Sequence, residues 1–340
     1  MSRRIQITVG LGLGALFLFL FFRQANFREV GAHLRHANYW LVAAAVALSV
    51  LAMVQRAARW HYLLAPLKSI GLGSLVACTM MGWAVTALLP GRLGEVARAI
   101  LVGRREKVSK TAAFATVVFE RFFDLLTILL LLAIYLVFFP LPSALNTEGR
   151  SIIAALRLSG LVALAAALAG ASVIVGLQRW PQRSEVVVGR ILRLMPGRLN
   201  ARLSPLGRSF LDGFAGMRQL RLLTLIALHS VLLWGTIAAS YYLLFRAFRL
   251  DVPYYAVLPL IVVIVVGVMV PTPAAVGSFH KAAQIGLATL WRVPNDLAVS
   301  YAIISHAVAF LPVTIIGIVL LSREGLSLAA VQRLQRESAG

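Results

Sequence analysis

The chain is poor in charge, and poorer still in acid. Asp, Glu, Lys and Arg make up only 13% of it, about half the share found in soluble domains. With 60% hydrophobic residues and a mean hydropathy of +0.86, there is too little polar surface to face water on all sides. An ordinary soluble domain is therefore excluded. The single cysteine, Cys78, lies in an apolar run, so no disulfide framework exists and the thiol reads as a small buried hydrophobe. Six scattered His show no metal-ligand spacing, and the chain contains no GxxxxGK[ST], HExxH, paired CxxC or GxSxG. Phosphate-loop, zinc-protease, thiol-redox and serine-hydrolase chemistry all lose their signature. Neither an enzyme, nor a cofactor, nor a metal site is expected.

Lysine is also scarce, occurring only at 68, 107, 110 and 281, so Arg supplies most of the net charge of +21. These Arg concentrate between apolar runs, which is the positive-inside pattern of a polytopic membrane protein and suits anionic lipid headgroups. No basic-aromatic surface points to nucleic acid.

Apolar runs near 5–22, 39–55, 72–89, 112–139, 152–177, 222–245, 255–270 and 298–321 predict an all-α polytopic membrane protein of about eight transmembrane helices. The first run follows Arg3-Arg4 like a signal sequence. Phe21, Phe22 and Arg23 stand where a cleavage site needs small residues, so the run reads as a retained helix. The stretch from Arg179 to Arg221 carries nine Arg against Glu185 and Asp212, and 92–110 holds six basic residues against two Glu. Pro140 to Ser151 contains only Glu148 and Arg150. The first two stretches are expected in the cytoplasm with both termini, and the last outside.

Parity then requires two extra returns, one between Pro90 and Gly103 and one between Ala274 and Trp291. Each coincides with a backbone break, Leu89-Pro90-Gly91-Arg92-Leu93-Gly94-Glu95 and Val270-Pro271-Thr272-Pro273-Ala274-Ala275-Val276-Gly277. Broken backbone at membrane depth survives only where it is buried in protein or lines a cavity. A matched pair, one per half, points to a binding site between inverted repeats. The chain reads as a single membrane domain, 1–340. Its first repeat is 1–150 and its second 151–340, with an amphipathic cytoplasmic linker over 178–221.

Three groups of residues carry candidate chemistry. Glu120, Arg121 and Asp124 share one face of the fourth helix. Charges at such depth belong inside the bundle, either as an ion pair fixing helix packing or as a headgroup or proton site. Arg92, Glu95 and Arg98 follow the first break, where Pro90 and Gly94 leave amide groups free to meet a phosphate. Both Arg serve equally as topology signals, and Glu95 as a cap or a partner of Arg98. The second break, with Pro271, Pro273 and Gly277, is followed by His280 and Lys281. His306 lies deeper, as a core residue or a proton relay, and Pro312 is placed to kink its helix.

At these residues the chain resembles the flippase-like membrane family typified by the transmembrane region of lysylphosphatidylglycerol synthase. The resemblance rests on 89–95 with Arg98, on Glu120-Arg121 with Asp124, on Pro271-Thr272-Pro273 with Gly277, and on an ending from Ser305-His306 through Pro312 and Gly317 to Gly325. It implies an inner-membrane protein that moves an anionic phospholipid or lipid-linked headgroup between leaflets. Pro90, Arg92, Gly94, Glu95, Arg98, Pro271, Pro273, Gly277, His280 and Lys281 would bind the substrate, and Glu120, Arg121, Asp124 and His306 would balance charge or carry protons. Many members of the family read Pro-Gly-Gly where this chain has Pro273-Ala274-Ala275, and Glu where it has His280. The tRNA-dependent half of the synthase has no counterpart, so aminoacylation is not expected. The competing reading is a lipid-binding membrane subunit that partners a separate glycosyltransferase or lipid synthase. Self-association into a homo-oligomer is compatible with either.

Overall fold

A computed structural model describes residues 3–89, 93–140, 147–179, 190 and 219–326. Pro90, Gly91, Arg92 and nearly all of the 178–221 linker lie outside the described residues. Every described element is helical: α1 Arg3–Phe22, α2 Phe27–His36, α3 Tyr39–Leu64, α4 Leu72–Leu88, α5 Leu93–Glu106, α6 Lys110–Phe138, α7 Thr147–Arg179, α8 Leu220–Ala247, α9 Val257–Val268, α10 Ser278–Trp291 and α11 Asn295–Arg323. By length and composition, the helices over 39–64, 110–138, 221–247 and 295–323 can each cross a membrane, and three shorter apolar helices accompany them.

Local chemistry sets the ends. Asn26, Asn38 and Ser109 cap α2, α3 and α6 by accepting from the first free backbone amides. Leu89 is extended, as the residue before a proline prefers, so α4 stops there. The α3 helix extends beyond the apolar run ending at 55 and continues to Leu64, carrying Arg56 and Arg59 inside it. The α11 helix runs without interruption through Pro312.

Helices α4 and α5 form a hairpin open at one end of the bundle. There the Lys68 ammonium donates to the Glu106 carbonyl (2.8 Å) and the Ser74 hydroxyl to the Glu106 carboxylate (2.6 Å). The Ser74 bond, followed by Lys68, holds the Glu106 carboxyl below the usual carboxylate range. Arg105 pairs with Glu324 beyond the end of α11, fixing that helix's exit at the same end. The α9–α10 hairpin opens at the opposite end, where Tyr255 meets Trp291 (5.9 Å) and stacks on Phe139 (4.7 Å). The start of α11 lies at that end too, because Asn295 follows Trp291 after a short link, and it donates to the Gln24 carbonyl (3.0 Å). The tip of the second hairpin, a 3-10 turn over Pro273–Ala275, packs against α4.

Both hairpins close on glycine. A Cβ on Gly94 would overlap the Gly82 carbonyl and the Thr86 hydroxyl, and one on Gly267 would overlap Ala282. Across the bundle α3 lies along α8, α11 packs on α4, and α6 packs reciprocally on α9. One apolar core gathers mainly α3–α6, a second mainly α8–α11 with α1 and α2.

Candidate functional site

Around the α6 carboxylates the structure builds a buried charge cluster larger than the sequence reading anticipated. Glu120 is fully buried and Asp124 nearly so. They lie one turn apart on α6, about 15–20 Å along the helix from its start. Glu120 meets four guanidinium groups, those of Arg56 (2.9 Å), Arg59 (3.2 Å), Arg98 (2.8 Å) and Arg121 (2.7 Å). Asp124 meets Arg59 (2.8 Å), Arg121 (3.1 Å) and Arg56 (3.3 Å). The Trp234 indole N–H donates to Asp124 (3.1 Å), and Arg59 also donates to the Ser230 hydroxyl (3.0 Å). Five helices therefore contribute: α3, α5, α6 and, through Ser230 and Trp234, α8, with α4 shaping the floor.

The floor is specific. The Arg98 guanidinium lies over the Trp60 ring, 4.8 Å from its centroid, and the Trp60 N–H is held by the Thr116 hydroxyl (2.8 Å). Such a cation–π contact strengthens as water is removed. A Cβ on Gly82 would approach the Arg98 Cβ to 2.8 Å, so a bare backbone on α4 makes room for that side chain.

Charge decides what the cluster can do. Four guanidiniums surround two buried carboxylates, an excess of two positive charges. Glu95 joins at the rim, 3.6 Å from Arg121, and lowers the excess to one. Arg121 and Glu95 are the exposed members, at 38% and 31% of their side chains. The Nε atoms of Arg56, Arg59 and Arg98 are buried without a hydrogen-bond partner. Uncompensated buried charge is expensive, and guanidinium is the group best shaped to receive a phosphate or carboxylate. The arrangement suits an anion entering past Arg121.

Of the sequence-derived candidates, Glu95, Arg98, Glu120, Arg121 and Asp124 fall in this one cluster. Gly94 forms the tight hairpin crossing beside it, while Pro90 and Arg92 are outside the described residues. Arg56 and Arg59 escaped the sequence reading. Their signal was present: Ala52, Met53, Ala57, Trp60, Leu63 and Leu64 continue one buried face past both Arg.

The second-break residues form a separate group. Among the described residues no ion pair joins them to the Arg cluster. Thr272 and Ser278 share a hydroxyl–hydroxyl bond (3.0 Å), and the Lys281 ammonium donates to Gln284 (2.9 Å), which donates in turn to Asn295 (2.6 Å). Pro271 precedes the turn and Pro273 opens it. Ala274 and Ala275 take φ of 50° and 54°, and Gly277 takes 81°, the left-handed region that favours glycine. A Cβ on Gly277 would also strike the Gly14 carbonyl and Phe17 of α1. His306 reaches the Ala274 carbonyl with Nε2 (2.8 Å), and its ring lies 4.4 Å from that of His280. Among the described residues no group of three or more His, Cys, Asp or Glu could hold a metal.

A sequence model of the family described as the lysylphosphatidylglycerol synthase TM region matches residues 7–317. The chain belongs to that family. It is also similar to glycosyltransferase AglD of Haloferax volcanii, at 31% identity over 140 residues. That match covers 40% of this chain and 22% of the archaeal protein, so the chain spans under a quarter of the curated relative's length.

Proposed function

We propose, with family membership as the premise, that the protein moves an anionic phospholipid or lipid-linked headgroup between the leaflets of the inner membrane. One observation carries the reading: a buried cluster with more guanidinium than carboxylate, open at Arg121. A phosphate-bearing headgroup supplies the missing negative charge while the acyl chains remain in the bilayer. The hairpins opening at opposite ends, and the reciprocal packing of α11 on α4 and α6 on α9, support an inverted repeat with two re-entrant segments and eight crossings. The basic ends support cytoplasmic termini. With no nucleotide-binding motif in the sequence, a lipid gradient, an ion gradient or a partner drives net movement.

The test is leaflet exchange of a fluorescent phosphatidylglycerol in proteoliposomes. The protein should accelerate exchange over empty vesicles, and Arg121→Gln, at the exposed rim, should slow it about tenfold, the effect of losing one charge-assisted contact. Exchange no faster than in empty vesicles refutes translocation.

The similarity to a glycosyltransferase favours a second reading, a lipid-binding subunit that presents its ligand to a separate transferase. Under that reading the purified protein retains anionic lipid selectively, loses it in Arg121→Gln, and does not accelerate exchange.

A further inference from the structure

The tip of the second hairpin holds two imidazoles in a geometry that fixes their hydrogens. The Ala274 carbonyl can only accept, so the His306 Nε2 at 2.8 Å carries a proton and donates. The Gly277 backbone N–H can only donate, so His280 Nδ1, at 3.3 Å, is bare and accepts. In this neutral arrangement both rings fasten the same turn, one at its middle and one at its end. That turn needs fastening, because Ala274 and Ala275 are left-handed without being glycine.

Among the described residues no carboxylate is bonded to either imidazole, and the ring neighbours are aromatic. Phe310 stacks on His306 (4.5 Å), Phe279 stands edge-on to it (5.2 Å), and Phe21 of α1 stands edge-on to His280 (5.2 Å). Neither α4 nor α9 carries any Asp, Glu, Lys, Arg or His. On α11 the charged residues are Asp296 and Arg323 at its two ends, and Asp296 is bonded to the Asn26 amide (2.8 Å). On α10 the only other charge is Lys281, bonded to Gln284. The basic residues of α1 are Arg3 and Arg4 at its start, and α7 brings Glu148, Arg150, Arg157 and Arg179. Among the described side chains, Asp296, Arg150, Arg157, Arg179 and Arg323 form no hydrogen bond with either imidazole. His306 is half-buried and His280 is buried, so the pair is reached from the His306 side.

We propose that His280 and His306 form a proton-binding site that controls the second hairpin: closed when both rings are neutral, released when a proton is taken up. A proton added to His280 Nδ1 removes the acceptor of the Gly277 N–H. A proton added to His306 Nδ1 places a cation 4.4 Å from the second ring in an aromatic niche. Charge is better solvated once the turn has opened, so proton uptake favours the open form. No bond other than hydrogen bonds changes, and water supplies the proton. This proposal does not rest on lipid translocation, and its readout does not involve lipid exchange.

Hydrogen–deuterium exchange of the full chain in lipid nanodiscs tests it, at about pH 5 and about pH 7.5, either side of the ordinary imidazole value. Rates are corrected for the intrinsic pH dependence of amide exchange. The peptide spanning 272–281 should lose about tenfold protection at the lower pH, while peptides of α6 keep theirs. The double substitution His280→Asn, His306→Gln keeps an acceptor and a donor near the same positions without a titrating ring, and should make protection equal at both pH values. His280→Ala should leave the peptide poorly protected at both. Equal protection in the wild type, a pH effect that survives the Asn/Gln pair, or parallel loss throughout α6 would each overturn the proposal.

Discussion

Replacing Glu120 by Gln is the most demanding single perturbation of the charge cluster. The substitution keeps the side chain's shape and one carbonyl oxygen, but removes the negative charge that four guanidiniums share at 2.7–3.2 Å. The buried excess rises from two positive charges to three, with only Asp124 left inside. Removing one partner of a buried ion pair destabilises by about 3–5 kcal/mol. For a chain of 340 residues, the unfolding entropy of roughly 2.1 cal/mol/K per residue turns that into a fall of about 4–7 °C in melting temperature. The assay is thermal unfolding in nanodiscs of zwitterionic lipid, at one scan rate for all variants because membrane proteins seldom refold. A second arm adds Arg98→Met, which returns the excess to two. The double variant should melt above Glu120→Gln alone, by the coupling energy expected of groups in contact. In anionic lipid, Glu120→Gln should recover more than the wild type gains, since its cluster is the more cationic. A Glu120→Gln melt within about 1 °C of wild type, or strictly additive single effects, would refute the buried cluster as the organising element.

Three further outcomes follow from local geometry. Gly94→Ala places a methyl group against the Gly82 carbonyl and Thr86, so the α4–α5 hairpin must open; we expect a loss of about 1–3 kcal/mol, read as a lower melting temperature. Gly317→Val should act similarly, because Met80 and Ala84 of α4 already touch that backbone. The Glu106 tie is pH-dependent. Its carboxyl titrates lower in the folded protein than in the unfolded chain, so its contribution is complete above the unfolded value and disappears as pH falls through the folded one. Hydrogen exchange of the 66–76 peptide should therefore accelerate, after intrinsic correction, only below about pH 4, and Glu106→Gln should remove that dependence.

Much of the architecture was legible because membrane insertion imposes coarse constraints. Apolar runs located the long helices, and the two proline breaks fell where α4 and α9 end. Glu120, Arg121 and Asp124, which their spacing puts on one helix face, meet through the Arg121 guanidinium. The omissions share a cause. The second apolar run stops at residue 55 because Arg56 follows it, and a charge in a hydrophobic stretch normally marks a boundary. Inside this bundle it marks a partner instead, as Arg56 and Arg59 turn towards the α6 carboxylates. The ten-residue α2 was too short and too polar to register as a membrane element, although Asn26 followed by Glu29 is a helix-start signal. Which charges meet across helices is a tertiary fact that no spacing within one helix encodes.

The two alanines at the second hairpin tip provide a last test, and it separates strain from chemistry. Left-handed backbone costs an L-residue with a Cβ roughly 1–2 kcal/mol, and glycine nothing. Glycine enlarges the unfolded ensemble, which returns about 0.4–1 kcal/mol. Ala274→Gly and Ala275→Gly, at φ of 50° and 54°, should therefore each stabilise by about 0.5–1 kcal/mol. Together they should raise the melting temperature by roughly 1–3 °C, where glycine elsewhere in a helix would lower it. The same relief lowers the free energy of the closed turn, in which His306 binds the Ala274 carbonyl. The glycine pair should keep amides 272–281 protected to a lower pH than the wild type, with both imidazoles still present. If the turn is instead unstrained, both substitutions destabilise, and the alanines are merely tolerated rather than poised for release.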